Sequence, residues 1–277
     1  MNRNIKALTE ACSNLNVPFE TNHATNNLVS VYIDSNCYVF VNWATPLNPQ
    51  SIMQLCQDKD YFYSYYRDVI NMPKTSAFLN PYSDVKYEQY LNEKTVYEII
   101  KAIESRHSYP IIVKKNRGSW GTNVFKVENR RQLEKSMLDI FNMNSASFDY
   151  VGLSQDYIQI ETEYRVVFLN GDLQFCYKKI IDGATYKNNI SPLHWEGSKG
   201  ALVSDSDEIE QLKEFCSTLF EKLMIPFCGL DVARDKSGKL WLIEANSSPG
   251  FDYIIEHKGS EMAIRLYENI LHVLKKS

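Results

Sequence analysis

Residues 229–250 read GLDVARDKSGKLWLIEANSSPG, a pattern of two short strands joined by a polar turn at residues 235–238. Side chains alternate along a strand, so one face of the second strand is predicted to carry Leu240, Leu242, Glu244 and Asn246. If the turn sets the register, Asp231 lies opposite Leu242 and diagonal to Glu244, with roughly 7–8 Å between their backbones. Two carboxylates and an amide oxygen would then converge on an otherwise apolar sheet.

This cluster of oxygen atoms has two interpretations. Buried charges of like sign are costly unless something positive lies between them. A small set of hard oxygen ligands suits Mg²⁺ or Mn²⁺, with phosphate oxygens completing the coordination shell. The first interpretation is therefore a metal site formed by Asp231, Glu244 and Asn246. The second is a solvent-facing hairpin whose acidic residues share no function.

The composition limits the class of protein. The 277 residues exceed one average domain and suit one enzyme of two or three lobes, with 44% apolar residues to form its core. A net charge of −4 argues against general nucleic-acid binding. No apolar run reaches membrane-spanning length, and residues 1–15 have no apolar signal core. Six cysteines without a C-x-x-C pair favour buried thiols in a reducing cytoplasm.

The spacing of apolar residues predicts the remaining elements. Helices are predicted at 3–15, 51–70, 93–105, 130–141, 208–223 and 260–275. Strands are predicted at 28–33, 37–43, 109–115, 123–127, 157–160, 163–169 and 172–180. Asn170-Gly171 indicates a type I′ turn, whose register places Glu163 opposite Lys178, with Arg165 on the same side and Lys179 pointing away. These cations either form an exposed salt-bridge ladder or flank a polyphosphate.

A second candidate ligand-binding segment, residues 116–122, reads NRGSWGT and lies between two predicted strands. Gly118 and Gly121 allow the backbone to approach a ligand and turn its N–H groups outward. Lys114 shares a strand face with Ile112 and can point toward whatever this loop covers. The Walker A pattern is missing, so the loop either binds phosphate or is an ordinary hairpin connection.

Five segments occur in an order typical of one enzyme superfamily, over about residues 5–275. They are Asp58-Lys59-Asp60 with Pro73-Lys74, Val113 to Gly121 with Lys115 in place of the usual proline, Gln155-Asp156-Tyr157-Ile158, Glu163 to Val167, and Asp231 with Glu244 to Gly250. In these segments the chain resembles the ATP-grasp superfamily of carboxylate–amine ligases. It is similar to the ATP-grasp modules of glutathione synthetase and cyanophycin synthetase, and to ribosomal S6 modification-type glutamate ligases.

The resemblance implies an α+β (α/β) ATP-grasp fold in which two α+β lobes clamp ATP. A helix and a β-hairpin would form an N-terminal segment at residues 1–57, followed by the ATP-grasp domain at residues 58–277. Within that domain, a small nucleotide-clamping lobe is expected at about 107–157 and a C-terminal metal-binding lobe at about 158–277. The module is expected to stand without a preceding amide-forming domain.

The resemblance also assigns roles to individual residues. Nucleotide contacts are expected from Lys59, Lys114, Gly118, Ser119, Gly121, the adenine hinge Gln155, Asp156, Tyr157 and Ile158, and the ribose acceptor Glu163, with Arg165 and Lys178 flanking the phosphates. Mg²⁺ (or Mn²⁺) bridging the β- and γ-phosphates would be held by Asp231, Glu244 and Asn246. The catalytic residues near the acyl phosphate would be Lys179, Lys187 and Asn189, with lysine where the family carries arginine. Because lysine lacks the bidentate fork, the geometry of the substrate carboxylate stays open.

The implied activity is ATP-dependent formation of an amide or peptide bond, or a thioester, through an acyl phosphate, on an amino acid or peptide substrate. An irregular stretch at residues 182–201 would select the acid. Two other classes stay open, namely a kinase of the same fold and a nucleotide-binding module without chemistry. The expected partners are the small-molecule substrate and a second copy in a homodimer, with neither nucleic acid nor membrane.

Overall fold

The computed structural model describes residues 1–118, 124–180 and 199–276, which form antiparallel sheets covered by helices. A five-stranded sheet has the order β10-β9-β8-β11-β12. Its strands are β8 (Ile160–Leu169), β9 (Asp172–Ile180), β10 (Lys199–Leu202), β11 (Phe227–Asp235) and β12 (Leu240–Asn246). The β8–β9 hairpin turns at Asn170-Gly171 with both φ angles positive, as the type I′ signal predicts.

One face of the five-stranded sheet packs on α2 (Gln50–Gln57), α3 (Lys59–Tyr66) and α6 (Ser206–Lys222). The sequence predicts one helix over residues 51–70, but Asp58 is extended (φ −99°, ψ 101°) and separates α2 from α3. The Asp58 carboxylate accepts a hydrogen bond from Tyr61 N at 3.0 Å and so caps α3. Lys59 thereby becomes the first residue of α3.

The opposite face of this sheet is covered by both ends of the chain. The elements there are α1 (Arg3–Asn14), β1 (Phe19–Thr21), β2 (Leu28–Ile33), β3 (Asn36–Val41), α7 (Asp252–Lys258) and α8 (Glu261–Lys275). Leu8, Val31 and Phe40 share one core with Val167 and Leu271. Residues of the predicted N-terminal segment at 1–57 therefore share a core with residues of the predicted ATP-grasp domain, and β1 and α7 are absent from the predicted elements.

A four-stranded sheet in the order β4-β7-β5-β6 forms the small lobe. It contains β4 (Thr75–Leu79), β5 (Ile111–Lys115), β6 (Val124–Val127) and β7 (Val151–Asp156), and packs on α4 (Val96–Arg106) and α5 (Arg130–Phe141). A 3₁₀ helix spans Val85–Tyr90. The pairing of β4 with β7 extends this lobe back to Thr75, from the predicted start near residue 107. Of the strand expected at 157–160, residues 157–159 form the connection between β7 and β8, and Ile160 begins β8.

Two further expectations concern membranes and cysteines. Among the described residues, no helix combines the length and apolar character needed to span a bilayer. All six cysteines are free thiols, and five of them are buried, as the sequence predicts. The prediction is wrong for Cys37, which is exposed on β3.

Candidate active site

Asp231 and Glu244 face each other directly across β11 and β12. The predicted diagonal arrangement is wrong because the β11–β12 turn is a three-residue loop with Gly238 in the left-handed region (φ +86°), which moves the register by one residue. A β-bulge then leaves Ile243 unpaired and moves the register again. Because of the two register shifts, Asp231 pairs directly with Glu244 instead of with Leu242.

The same bulge separates the residues that the alternation pattern places on one face of β12. Leu242 and Leu240 pack into the core formed with α2, α3 and α6. Glu244 and Asn246 lie on the other face, where the Asn246 amide donates to Asp231 Oδ2 at 3.5 Å. The two acids and the amide therefore converge as predicted, although the two leucines do not accompany them.

Asp231 is buried and held by two cations. Arg165 donates to both carboxylate oxygens, from Nε to Oδ1 at 2.6 Å and from Nη2 to Oδ2 at 3.0 Å. Lys179 Nζ lies 3.3 Å from Asp231 Oδ1 and also pairs with Glu163. Burial raises the pKa of the Asp231 carboxyl, but Arg165 and Lys179 outweigh that effect and hold the pKa below its usual value.

The two neighbouring lysines of β9 lie on opposite faces, and their predicted orientations are wrong. A bulge on β9 at Gln174 shifts the register, so that Arg165 pairs with Tyr177 and residue 178 pairs with Tyr164. Lys179 consequently points toward Glu163, and together with Arg165 and Asp231 these residues form a charged cluster. Lys178 points to the other side and contacts Glu208 Oε2 of α6 at 2.8 Å, away from the proposed nucleotide contacts.

Lys114 lies on β5, at the wall of a cleft between the small lobe and β12. Its side chain is buried, and Nζ donates to Gln155 Oε1 at 3.0 Å. Gln155 in turn donates to Thr75 Oγ1 at 2.8 Å. Burial, together with the neighbouring charge of Lys59, lowers the pKa of Lys114 to about 8. The cleft therefore contains an ammonium group that would gain from an anionic ligand.

Lys59 links the two lobes from the first turn of α3. Its Nζ donates to Gly118 O at 2.7 Å and lies 3.5 Å from Glu244 Oε2. The flanking residues strengthen this connection, because Asp60 N donates to Asn116 Oδ1 at 2.9 Å. The loop after β5 is thus tied to α3 on one side and, through Lys59, to a candidate metal ligand on the other.

Of the predicted hinge residues, Asp156 ends β7, and Tyr157 and Ile158 lie in the connection to β8. His107, which sequence reasoning missed, lies 2.7 Å from Asp156 Oδ1 through Nδ1 and 3.1 Å from Ser76 Oγ through Nε2. Lys126 Nζ lies 4.4 Å from the centre of the Tyr157 ring. The side chains of Asp156 and Tyr157 therefore contact other protein groups. Part of the hinge backbone is engaged as well, since Asp156 N donates to Lys74 O at 2.9 Å and Ile158 O accepts from Ile160 N at 2.9 Å.

Eleven residues from both lobes line the cleft. They are Cys56, Lys59, Phe62, Tyr63, Met72, Thr75, Lys114, Gln155, Ile243, Glu244 and Ala245. The sequence identifies the charged members and Gln155 but misses the others, because no local motif marks residues that tertiary packing brings together. Of the other predicted site residues, Ser119, Gly121, Lys187 and Asn189 lie outside the described residues.

Comparison with known proteins assigns the family. A model of the RimK-like ATP-grasp domain matches residues 85–270, more than half of the chain. The chain belongs to the RimK-like ATP-grasp family. The resemblance drawn from the five sequence segments is thereby confirmed.

The curated relatives of this RimK-like ATP-grasp protein are distant. An uncharacterized protein of Mycoplasma genitalium, MG012, is 21% identical over 259 residues, which cover 92% of this chain and 82% of that protein. A probable alpha-L-glutamate ligase of Histophilus somni (strain 2336) is 27% identical over 169 residues, or 60% of this chain. The matched part is 51% of that ligase, so the similarity spans about half of its length.

Solved structures confirm the ATP-grasp fold. D-alanine–D-alanine ligase from Bacillus anthracis superimposes with a TM-score of 0.56 at 15% identity, covering 81% of this chain and 67% of that enzyme. The ATP-grasp ligase PsnB, complexed with a minimal precursor, gives a TM-score of 0.54 at 12% identity, covering 82% and 63%. At these identities the likeness establishes the α+β ATP-grasp architecture and nothing finer.

Proposed function

We propose that this ATP-grasp ligase activates the carboxylate of an amino acid or peptide with ATP and joins it to an amine. The observation that carries the proposal is the pair of facing carboxylates, Asp231 and Glu244, beside a cleft that also contains Lys59 and Lys114. Acidic oxygens on one wall and ammonium groups on the other suit a metal-bound polyphosphate better than any neutral ligand.

The nucleotide would lie along this cleft between the lobes. Lys59 and Lys114 are placed to neutralise phosphate oxygens, since the buried ammonium of Lys114 is paired with the neutral Gln155 amide. The apolar side chains Phe62, Met72 and Ile243 line the same cleft and suit a purine ring. The backbone of residues 156–158 would supply the hydrogen bonds to that ring.

The donor set fits Mg²⁺ or Mn²⁺. Glu244 retains a partly exposed carboxylate whose contact with Lys59 is as long as 3.5 Å. Asn246 offers an amide oxygen on the same face, so both groups are hard oxygen donors. Asp231 has both oxygens engaged by Arg165 and would contribute a remaining lone pair. Mg²⁺ held by these residues would screen the phosphates while a substrate carboxylate attacks the γ-phosphoryl group.

The charged cluster on β8 and β9 would organise the acyl-transfer half of the reaction. Lys179 pairs with Glu163 and Asp231, so its ammonium group is fixed beside β11, the strand that carries Asp231. Glu163 is therefore better suited to orienting Lys179 than to accepting from the ribose. Lys179, with the predicted Lys187 and Asn189, would stabilise the oxyanion formed when an amine displaces phosphate.

The amine is proposed to be an α-amino acid, with L-glutamate as the first candidate. The support is the similarity to the Histophilus somni relative, a probable alpha-L-glutamate ligase. A peptide as the acid substrate stays a prediction; PsnB, which shares the fold, was solved in complex with a minimal precursor. A second copy of the chain in a homodimer stays a prediction.

The test is release of ADP from ATP and Mg²⁺ in the presence of L-glutamate and a library of peptides with free carboxylates. The expected result is ADP release that depends on both substrates, with a product heavier by one amide-linked residue. Hydroxylamine should trap the activated acid as a hydroxamate. A phosphorylated product stable to hydroxylamine would indicate a kinase, and tight ATP binding without turnover would indicate a binding module.

A further inference from the structure

The loop that follows β12, the strand that carries Glu244 and Asn246, is fixed by residues from the N-terminal segment. The family match begins at residue 85, so every residue before it lies outside the matched domain. Three residues of that earlier segment nevertheless contact residues 247–252, directly after Asn246 on β12. They are Asn4 on α1, Trp43 after β3, and Asn48 before α2.

Asn48 connects the strands on which the metal ligands lie. Its buried amide Nδ2 donates to Phe227 O at 2.7 Å and to Ser247 O at 2.9 Å. Its Oδ1 accepts from Phe227 N at 3.1 Å. One side chain thus joins the start of β11 to the residue after Asn246, and all three of its hydrogen bonds reach backbone groups.

Asn4 and Trp43 hold the remainder of the loop. Asn4 is fully buried, donates from Nδ2 to Pro249 O at 3.2 Å and accepts from Phe251 N at 3.1 Å. Trp43 Nε1 donates to Asp252 Oδ2 at 3.2 Å. The Trp43 indole also lies so close to Gly250 that an added Cβ would come within 3.2 Å of it.

The other side of the loop rests on the charged cluster. A Cβ added at Gly229 would lie 2.8 Å from Pro249 Cβ and 2.9 Å from Arg165 Cδ. Pro249 and Arg165 therefore both pack closely against Gly229, on the strand that carries Asp231. The loop is enclosed between the N-terminal segment and the groups that orient Asp231.

We propose that Asn4 and Asn48 are positioning residues that hold the loop at 247–251, and through it Asn246 and Glu244, in the geometry that binds the metal. The inference rests on the proposed metal–nucleotide site. It makes the N-terminal segment a working part of the catalytic lobe. Mutation of groups that orient metal ligands from outside the coordination shell typically lowers metal affinity by about 10–100-fold.

The test compares metal affinity with stability in Asn4→Ala and Asn48→Ala. Binding of Mn²⁺ to the full chain is measured by electron paramagnetic resonance, in the presence of a non-hydrolysable ATP analogue. Each variant is expected to weaken Mn²⁺ binding by about tenfold or more. Hydrogen exchange at the Phe251 amide should become faster in Asn4→Ala, since that amide loses its acceptor.

Asn80→Ala is the matched control, because Asn80 is equally buried in the small lobe. It donates to Phe141 O at 3.2 Å and accepts from Tyr82 N at 2.9 Å. This variant should lose a comparable amount of thermal stability and bind Mn²⁺ as the wild type does. If Asn48→Ala does not fold, Asn4→Ala carries the comparison.

The outcomes separate this inference from the proposed function. Wild-type affinity for Mn²⁺ in both asparagine variants, with only the stability loss seen in Asn80→Ala, would overturn the positioning role alone. A wild-type chain that binds no Mn²⁺ with the nucleotide analogue would overturn the proposed function and this inference together.

Discussion

Asp231 lies directly opposite Glu244, yet the two carboxylates pair with cations from different parts of the fold. Arg165, from the neighbouring strand, binds Asp231, and Lys59, from α3, lies near Glu244. Together with Glu163 and Lys179, these residues comprise three carboxylates and three cations, so their formal charges balance. The site is therefore assembled before any ligand binds, as transition-state stabilisation by preorganised groups requires.

Glu244→Gln tests the metal assignment. The substitution preserves shape but replaces an anionic ligand with a neutral amide, so ADP release at ordinary Mg²⁺ should fall by about 100-fold or more. Glu208→Gln is the control, since Glu208 pairs with Lys178 on the opposite face of the same sheet. Full activity of Glu244→Gln, measured by coupled ADP release at 1–10 times the apparent Mg²⁺ requirement of the wild type, would sink the assignment.

Lys179→Ala and Lys178→Ala test the register of β9. Removing Lys179 leaves Glu163 and Asp231 short of a buried cation, which should lower the free energy of unfolding by about 3–5 kcal/mol. Lys178 makes a partly exposed pair with Glu208, so its loss should cost about 0–1 kcal/mol. Urea denaturation of both variants measures the difference, and equal losses would contradict the observed orientation.

Lys114→Met tests the cost of burying a cation in the cleft. The pKa of Lys114 is about 8 in the folded chain against 10.5 for the free side chain, so the unfolded chain binds more protons between these values. Stability of the wild type should therefore rise with pH across this window. Lys114→Met should be more stable than the wild type at pH 7, by up to about 3 kcal/mol, while losing ATP affinity.

The same variant pair fixes the sign of the pH effect. The stability difference between Lys114→Met and the wild type should shrink as pH rises from 8 to 10.5, because the wild-type lysine becomes neutral. Lys178→Met is the control, since the hydrogen bond to Glu208 raises the pKa of Lys178 above 10.5, and the stability this lysine contributes is lost only above that pH. Between pH 7 and pH 10, denaturation curves should show a shrinking difference for Lys114→Met and an unchanged one for Lys178→Met, and a Lys114→Met difference independent of pH would contradict the burial argument.

Gly229→Ala tests the close packing of Pro249 on β11, the strand that carries Asp231. The new methyl group would lie 2.8 Å from Pro249 Cβ and 2.9 Å from Arg165 Cδ, and the proline ring cannot rotate away. We expect a loss of about 1–3 kcal/mol in the free energy of unfolding, together with reduced activity from displaced Arg165. Gly152→Ala is the control, because its closest neighbour is the flexible Met137 side chain at 2.8 Å.

The sequence predicts the order of most elements and the identity of the charged site residues. Asp231, Glu244 and Asn246 are marked by a compact motif, and Asn170-Gly171 by a turn with a defined conformation. These features depend on local chemistry, which a sequence carries directly.

The orientation of side chains is predicted less well, for a physical reason. A single bulge at Ile243 places Leu242 and Glu244 on opposite faces of the sheet. Another bulge at Gln174 turns Lys179, instead of Lys178, toward Glu163. Bulges arise where strand twist and packing against neighbouring elements demand them, and neither segment carries a glycine that would mark one. Asn4 and Asn48 are invisible for the same reason, since their roles depend on contacts more than 170 residues distant.

The contact of α1 with α8 has a consequence for the order of events during synthesis. The small lobe is continuous from Thr75 to Asp156, so it can fold as soon as that stretch has left the ribosome. The core around Leu8 and Leu271 joins α1 to α8, which is synthesised much later. The lobe that carries the candidate site must therefore wait, with its first helix and early strands exposed, until α8 emerges, and chaperones that bind nascent chains should engage residues 3–41 during that interval.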